Sequence, residues 1–187
     1  MPKKILQKES PLLRKISESV PILSIVSTKI QNIIKEMKTA LASQDDGVAI
    51  AAPQIGYPLR IFVVSKKVRS IIRNKKDDEI EEDRGDDTIF INPVIKKFSK
   101  EKETIEEGCL SVRFLYGKVT RASKVTIEAY DEKGKKFTIG GKGLLAQIFQ
   151  HETDHLNGIL FIDKAKFVEE VLPEHLSKNT KNENEKY

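Results

Sequence analysis

Residues 151–155 read His-Glu-Thr-Asp-His, in a chain of 187 residues that holds three histidines altogether. On an α-helix, side chains four apart leave the same face one turn along, close enough for two imidazoles to reach one ion at roughly 2.0–2.1 Å. The spacing therefore demands a helix here, with this face turned inward. Glu152 sits one position round from His151, where its carboxylate can take a proton from an attacking water. Shuffling the composition yields this pattern in about one chain in two hundred. Two core histidines satisfied by backbone carbonyls are the plain alternative, but they would leave Glu152 buried without a partner, which is costly.

The surroundings agree with a buried helix. Leu144, Leu145, Ile148, His151, Glu152 and His155 fall on one broad stripe, so helix is expected to resume near Gly143. An earlier helix is predicted from Ser24 or Ser27 to Ala42, with Ile30, Ile33, Ile34, Met37 and Leu41 at three- and four-residue steps. "LRIFVVS" (59–65) and "DTIFINPVI" (87–95) read as short β-branched strands. "SKVTIEAYDEKGKKFTIGG" (123–141) alternates, turns at Asp131–Gly134 and returns, which predicts a hairpin. Strands first and a buried helix late predict an α+β fold rather than an alternating parallel one. Residues 1–171 are expected to form a single catalytic domain. Residues 66–87, basic and then acidic, read as an exposed insertion, and 172–187 as a flexible polar tail.

Charge and cysteine usage narrow the setting. The net charge of +5 is spread along the chain instead of gathered on one face, which argues against a specific nucleic-acid partner. No run reaches the ~18 apolar residues of a membrane span, and the start lacks a secretory core. One cysteine, Cys109, cannot form an internal disulfide. A cytoplasmic protein is expected, without a membrane partner.

A catalytic site of this type needs a third protein ligand and one open position. An extended motif with a third histidine fails, because Phe161 stands where that histidine would be. A thermolysin-like metallopeptidase would recruit a downstream glutamate, and Glu169, Glu170 and Glu174 are on offer. Cys109, in "EEGCLSVRF", follows a glycine at a predicted strand edge and is the remaining candidate. As a nucleophile it would need His151 or His155 as a base, and neither can be base and ligand at once.

Three separated stretches then line up with one family. "GVAIAAPQ" (47–54), "EGCLS" (107–111) and "QHETDH" (150–155), in that order, resemble the three motifs of the peptide deformylases, and the likeness extends over roughly residues 5–163, through "SPLLRK", "FINP" and "HLNGILFID". The resemblance implies small antiparallel or mixed sheets packed around a central buried metal-binding helix. It implies hydrolysis of the formyl group from N-formyl-methionyl nascent peptides by a monomer working near the ribosome. By it, Cys109, His151 and His155 are ligands of one divalent ion, iron(II) in the cell, with zinc, nickel or cobalt acceptable to the same donors. Glu152 is the general base, and Gln54 with the Leu110 N–H holds the developing oxyanion. Gly47, Ala49, Tyr116 and Ile148 would line the substrate cleft, and Glu107, Arg121, Gln150 and Asp154 would orient the ligands.

Two positions and one stretch depart from the family pattern. Ala49 replaces the second glycine of the first motif, "VRFLYG" replaces the usual proline and glycine after EGCLS, and Gln147 puts an amide where a pocket wall is expected. A homologue with an altered N-acyl substrate or weak activity, and a non-catalytic ribosome-associated binding protein, are the alternatives these departures leave in view.

Overall fold

The computed structural model describes residues 1–74 and 85–172. Ser27 begins the first helix, α1 (Thr28–Ala42): its Oγ accepts from the Ile30 N–H, satisfying one of the orphan donors of the first turn. The three- and four-residue apolar steps bury Ile30, Ile33, Ile34, Met37 and Leu41 on one side, as expected, with Ala40 beside them. That face covers a five-stranded antiparallel sheet of β1 (Ala49–Ala51), β2 (Ile61–Val64), β3 (Thr88–Phe98), β6 (Lys124–Tyr130) and β7 (Lys136–Lys142), in that spatial order. A second antiparallel sheet contains β4 (Lys102–Gly108), β5 (Leu115–Ala122) and β8 (Lys166–Glu170), ordered β4-β5-β8. The fold is α+β.

Why the run "IFVV" has no polar gaps becomes clear from its two faces. Ile61 and Val63 pack with Ile33, Met37 and Leu41 of α1, whereas Phe62 and Val64 point to the opposite side. There Phe62, Phe90, Val125, Ile127 and Phe149 form a second core under α3 (Leu144–Leu156). A strand covered on both faces loses the alternation that marks a half-exposed one. Phe62 and Phe90 stack with ring centroids 4.5 Å apart, and Phe149 of α3 tilts against Phe90 at 5.1 Å. Gly141 on β7 admits that ring: a Cβ there would lie 2.9 Å from Phe149 Cε2. Gly141→Ala is therefore expected to cost about 1–3 kcal/mol, read as a lower midpoint in urea at unchanged slope. A change below about 0.5 kcal/mol would show the ring to be loosely seated.

The hairpin appears as expected, with Ile127 opposite Ile139 and Ala129 opposite Phe137. "FINP" has a mechanical use. Asn92 adopts φ of 50°, and its side chain accepts from Val20 N and donates to Val20 O, fastening the N-terminal segment to β3. Segment 66–87 is not exposed throughout. It opens as a helix, α2 (Lys67–Asn74), with Val68 buried against the core that includes Val64, and Lys66 N donates to Asp87 Oδ1 at 3.0 Å. The basic residues around Val68 hid this anchor. The rest of the insertion, 75–84, and the tail beyond 172 lie outside the described residues. No helix among the described residues is long and apolar enough to cross a membrane.

Candidate metal centre

α3 packs against both sheets, touching β1, β3, β6 and β7 on one side and β5 on the other. Its inner turn carries His151 and His155, with ring centroids 4.9 Å apart. Cys109 follows the last residue of β4 and begins a tight turn in which Val112 N donates to Cys109 O and Ser111 N points to Cys109 Sγ at 3.4 Å. This turn brings the thiol to the histidines: Sγ lies 3.2 Å from His155 Nε2, and one donor atom from each of Cys109, His151 and His155 lies within 4.8 Å of the others. Tetrahedral bonds of 2.3 Å to sulfur and about 2.05 Å to nitrogen require separations of roughly 3.3–3.6 Å. The set fits such an ion, and among the described residues it is the only such group of three. Glu169 and Glu170 are exposed on β8, away from this group, so the thermolysin-like alternative finds no third ligand in them, and Glu174 lies outside the described residues.

The two histidines are held differently. His151 Nδ1 donates to Glu107 Oε2 at 3.0 Å, which leaves Nε2 for an ion. Burial disfavours a charge on His151, yet its contacts with Cys109 and Glu107 outweigh that and raise its pKa well above the ordinary value. Burial and the neighbouring His151 push His155 well below it. A ligand histidine must be neutral, so an ion in this site competes with protons. Glu107 is itself buried, which would raise its pKa, but Arg121 and His151 hold it down at about 2. The Arg121 guanidinium makes two bonds to Glu107, of 2.8 and 2.9 Å, and a third to Asp154 Oδ2 at 2.6 Å. This is no surface pair: Glu107 and Arg121 are 4% and 5% exposed.

Glu152 faces the cleft beside the cluster, 4% exposed, and its Oε2 has no hydrogen-bond partner among the described residues. Burial, with some repulsion from Glu107, pushes its pKa up to about 7. A carboxyl held this way is poised to gain and lose a proton near neutrality. Gln54, in the turn Ala52–Ile55, accepts from Ala51 N through Oε1 at 2.7 Å. That contact assigns the amide, so Nε2 is the atom turned to Ser111 Oγ at 3.0 Å and to Cys109 Sγ at 3.6 Å. Leu110 O accepts from Gln7 Nε2 at 3.1 Å, while the Leu110 N–H donates to no protein atom among the described residues. Gln7 and Ser111 escaped the sequence reading. Ser111 sits inside a quoted motif and could have been found there, whereas nothing local marks Gln7.

Two residues expected to orient the ligands do not touch them. Gln150 bonds both backbone groups of Ala122 and the Ala146 carbonyl, locking α3 to the end of β5. Asp154 acts through Arg121, and also holds Lys164 Nζ at 2.6 and 2.7 Å. The side-chain directions of a helix place Gln150 about 100° round from His151, and Asp154, although i+3 from His151, spends its carboxylate on Arg121 and Lys164.

A cleft of about 300 Å³ opens onto the cluster, and Gly47, Ala49, Tyr116 and Ile148 line it with Gln54, His151 and Glu152. Ala49 lies in β1 and is absent from the residues with positive φ, so its methyl strains no backbone. Tyr116 packs against Gly108, where a Cβ would come within 2.6 Å of its ring. Gln147 spends its amide on Glu106 O at 2.9 Å instead of presenting it unpaired to the cleft. Arg113 makes a paired contact with Asp46, at 2.5 and 3.1 Å, and reaches Gln44 at 2.9 Å, tying the two loops that border the cleft.

Known proteins similar to this chain point to one family. The polypeptide deformylase family profile matches residues 2–171. A relative from Clostridium acetobutylicum named peptide deformylase 2 is 40% identical over 156 residues, which is 83% of this chain and 89% of the relative. The crystal structure of a peptide deformylase from Legionella pneumophila superposes with a TM-score of 0.72 at 34% identity, covering 100% of both chains. That of a peptide deformylase from Synechococcus elongatus in complex with actinonin gives a TM-score of 0.72 at 30% identity, covering 88% of this chain and 79% of that one. With a profile match over nearly its whole described length and relatives at these identities, the chain belongs to the polypeptide deformylase family.

Proposed function

We propose that this chain removes the formyl group from N-formyl-methionyl nascent peptides, with residues 1–171 acting as one catalytic domain and as a monomer in the cytoplasm. The observation that carries the reading is the Cys109, His151 and His155 group beside a buried carboxyl, Glu152, that has no partner of its own. Cys109, His151 and His155 would hold the ion, which makes α3 the metal-binding helix between the two sheets. Iron(II) is our choice for the resident ion; thiolate and imidazole also suit zinc, nickel and cobalt. A divalent ion held there supplies Lewis acidity and makes hydroxide available near neutral pH.

The chain's own groups do the rest. Glu152 accepts a proton from water as its oxygen adds to the formyl carbon. Gln54 Nε2 and the Leu110 N–H donate to the formyl oxygen as it becomes an anion, where such a donor is worth about 3–4 kcal/mol. Ser111 and Ala51 hold the Gln54 amide in that direction. Glu152 then passes its proton to the amine nitrogen as the C–N bond breaks, leaving formate and a free amino terminus. Leu110, Ile148 and Tyr116 give the cleft an apolar wall that suits a methionine side chain.

The test is formate release from formyl-Met-Ala-Ser by protein purified anaerobically and loaded with iron(II) or nickel(II), together with metal content. Wild type is expected to release formate and to hold one ion per chain; Cys109→Ala is expected to lose most of that ion. Full metal content in Cys109→Ala would exclude the thiol as a ligand, and a metal-loaded wild type that leaves formyl peptides intact would exclude the activity.

A further inference from the structure

The Glu107 carboxylate that orients His151 belongs to a longer chain of charges. It runs from His151 Nδ1 to Glu107, to Arg121, to Asp154 and to Lys164, through bonds of 3.0, 2.8 and 2.9, 2.6, and 2.6 and 2.7 Å. Its inner members are buried; the Lys164 side chain at the outer end is 41% exposed and borders a second cleft behind α3. With His151 neutral, as a ligand must be, two carboxylates face two cations and the network is balanced. We propose that Lys164 is a positioning residue for the metal centre, setting how firmly His151 is held although it lies outside the site. The inference rests on the metal-site reading above.

The argument is one of competition for a single guanidinium. Arg121 divides its donors, Nε and one terminal nitrogen to Glu107 and the other terminal nitrogen to Asp154. Asp154 leaves Glu107 this share because it has a second cation: Lys164 covers both of its oxygens. Without Lys164, a buried pair of carboxylates shares one cation, and the uncompensated charge draws Arg121 toward Asp154. Glu107 then loses part of its bidentate grip, and the His151 ring loses its fixed acceptor. Lys164 itself is well placed for this duty. It follows the turn Phe161–Asp163, where Lys164 N donates to Phe161 O and Asp163 Oδ2 caps Leu160 N at 2.9 Å. The lysine thus reaches Asp154 from a fixed backbone.

Partners that orient a ligand histidine are worth about 10–100-fold in metal affinity, and a residue acting two links further out is placed at the low end. The experiment follows loss of nickel(II) or cobalt(II) from the loaded full-length protein to excess EDTA. Lys164→Met is expected to lose metal about tenfold faster than wild type and to shift the visible cobalt(II) bands, because the His151 ring is less constrained. Lys164→Arg restores the charge and is expected within about twofold of wild type. Lys136→Gln is the control: it removes another half-exposed ion pair, with Glu128 on the β6–β7 hairpin, away from the metal cluster. Equal rates for wild type and Lys164→Met would overturn the proposal, as would equal acceleration by Lys136→Gln. If wild type retains no ion at all, the deformylase reading falls with it; if wild type retains the ion and Lys164→Met does too, only this inference falls.

Discussion

Glu152→Gln is expected to abolish most turnover and at the same time to stabilise the metal-free protein. Both effects come from one observation, a carboxyl buried at 4% exposure with an unpartnered oxygen and a pKa pushed up to about 7. As a base, Glu152 supplies the proton transfers, and losing such a group costs roughly 10²–10⁴-fold in kcat. As a buried group, it opposes folding whenever it is ionised. The folded-state pKa is raised above an ordinary value of 4.5, so folding favours the protonated form. The associated stability is fully present below about 4.5 and is lost as pH rises through about 7. At pH 8 the buried charge therefore costs about 3 kcal/mol, at 1.36 kcal/mol per unit. Glutamine carries no charge to bury. In chelator-treated protein at pH 8 the variant should melt roughly 5–10 °C above wild type, and the two should converge near pH 4.5. A cation beside the carboxylate favours its charged form, so loading the site should narrow the gap. A variant that retains wild-type turnover within tenfold would remove Glu152 from the role of base, and one that melts no higher at pH 8 would show that burial does not raise its pKa.

How much of this was legible beforehand depends on the range of the interactions. α1 declared itself, because its core contacts recur at helical spacing and Ser27 caps it within the same few residues. The two histidines were legible for the same reason: helical geometry alone puts positions 151 and 155 side by side. Cys109 was less so, since its meeting with His155 joins residues 46 apart; its place after a glycine at a strand edge favoured it over the downstream glutamates, and three motifs taken together gave it its role. Gln7 reaches Leu110 across 103 residues, and no local pattern announces it. Lys164 is only ten residues from Asp154, yet the chain turns between them at Gly158, with φ of 73° and a Cβ position only 2.5 Å from Arg14 O. α2 was hidden for a different reason. One buried valine decides where that helix sits, while the charges around it dominate any composition window.

Arg121→Met should be among the most destabilising single substitutions in the site, although the arginine touches neither the three ligands nor the cleft that opens onto them. It leaves Glu107 buried with only His151 for a partner, and Asp154 with only Lys164. Removing one partner from a buried ion pair costs about 3–5 kcal/mol, because the stranded charge keeps its desolvation penalty. For a domain of this size that is a fall of roughly 10 °C or more in Tm. The pH dependence identifies the source. In wild type the Glu107 pKa is held at about 2, below the ordinary 4.5, so its stabilising contribution is full above about 4.5 and is lost as pH falls through about 2. Without Arg121, burial is the stronger influence on Glu107, and its neutral form becomes the better tolerated one. The deficit of the variant should accordingly be largest near pH 7 and shrink toward pH 4, measured by urea denaturation of the two proteins in parallel. Replacing Glu107 by Gln in the same chain should recover part of the loss at pH 7, since no unpaired carboxylate then remains at that position. Metal retention would not recover, because a neutral amide is a poorer acceptor for the His151 N–H than the carboxylate it replaces. A loss below 1 kcal/mol at pH 7, or one independent of pH, would mean that water reaches Glu107 and that the buried network does not hold His151.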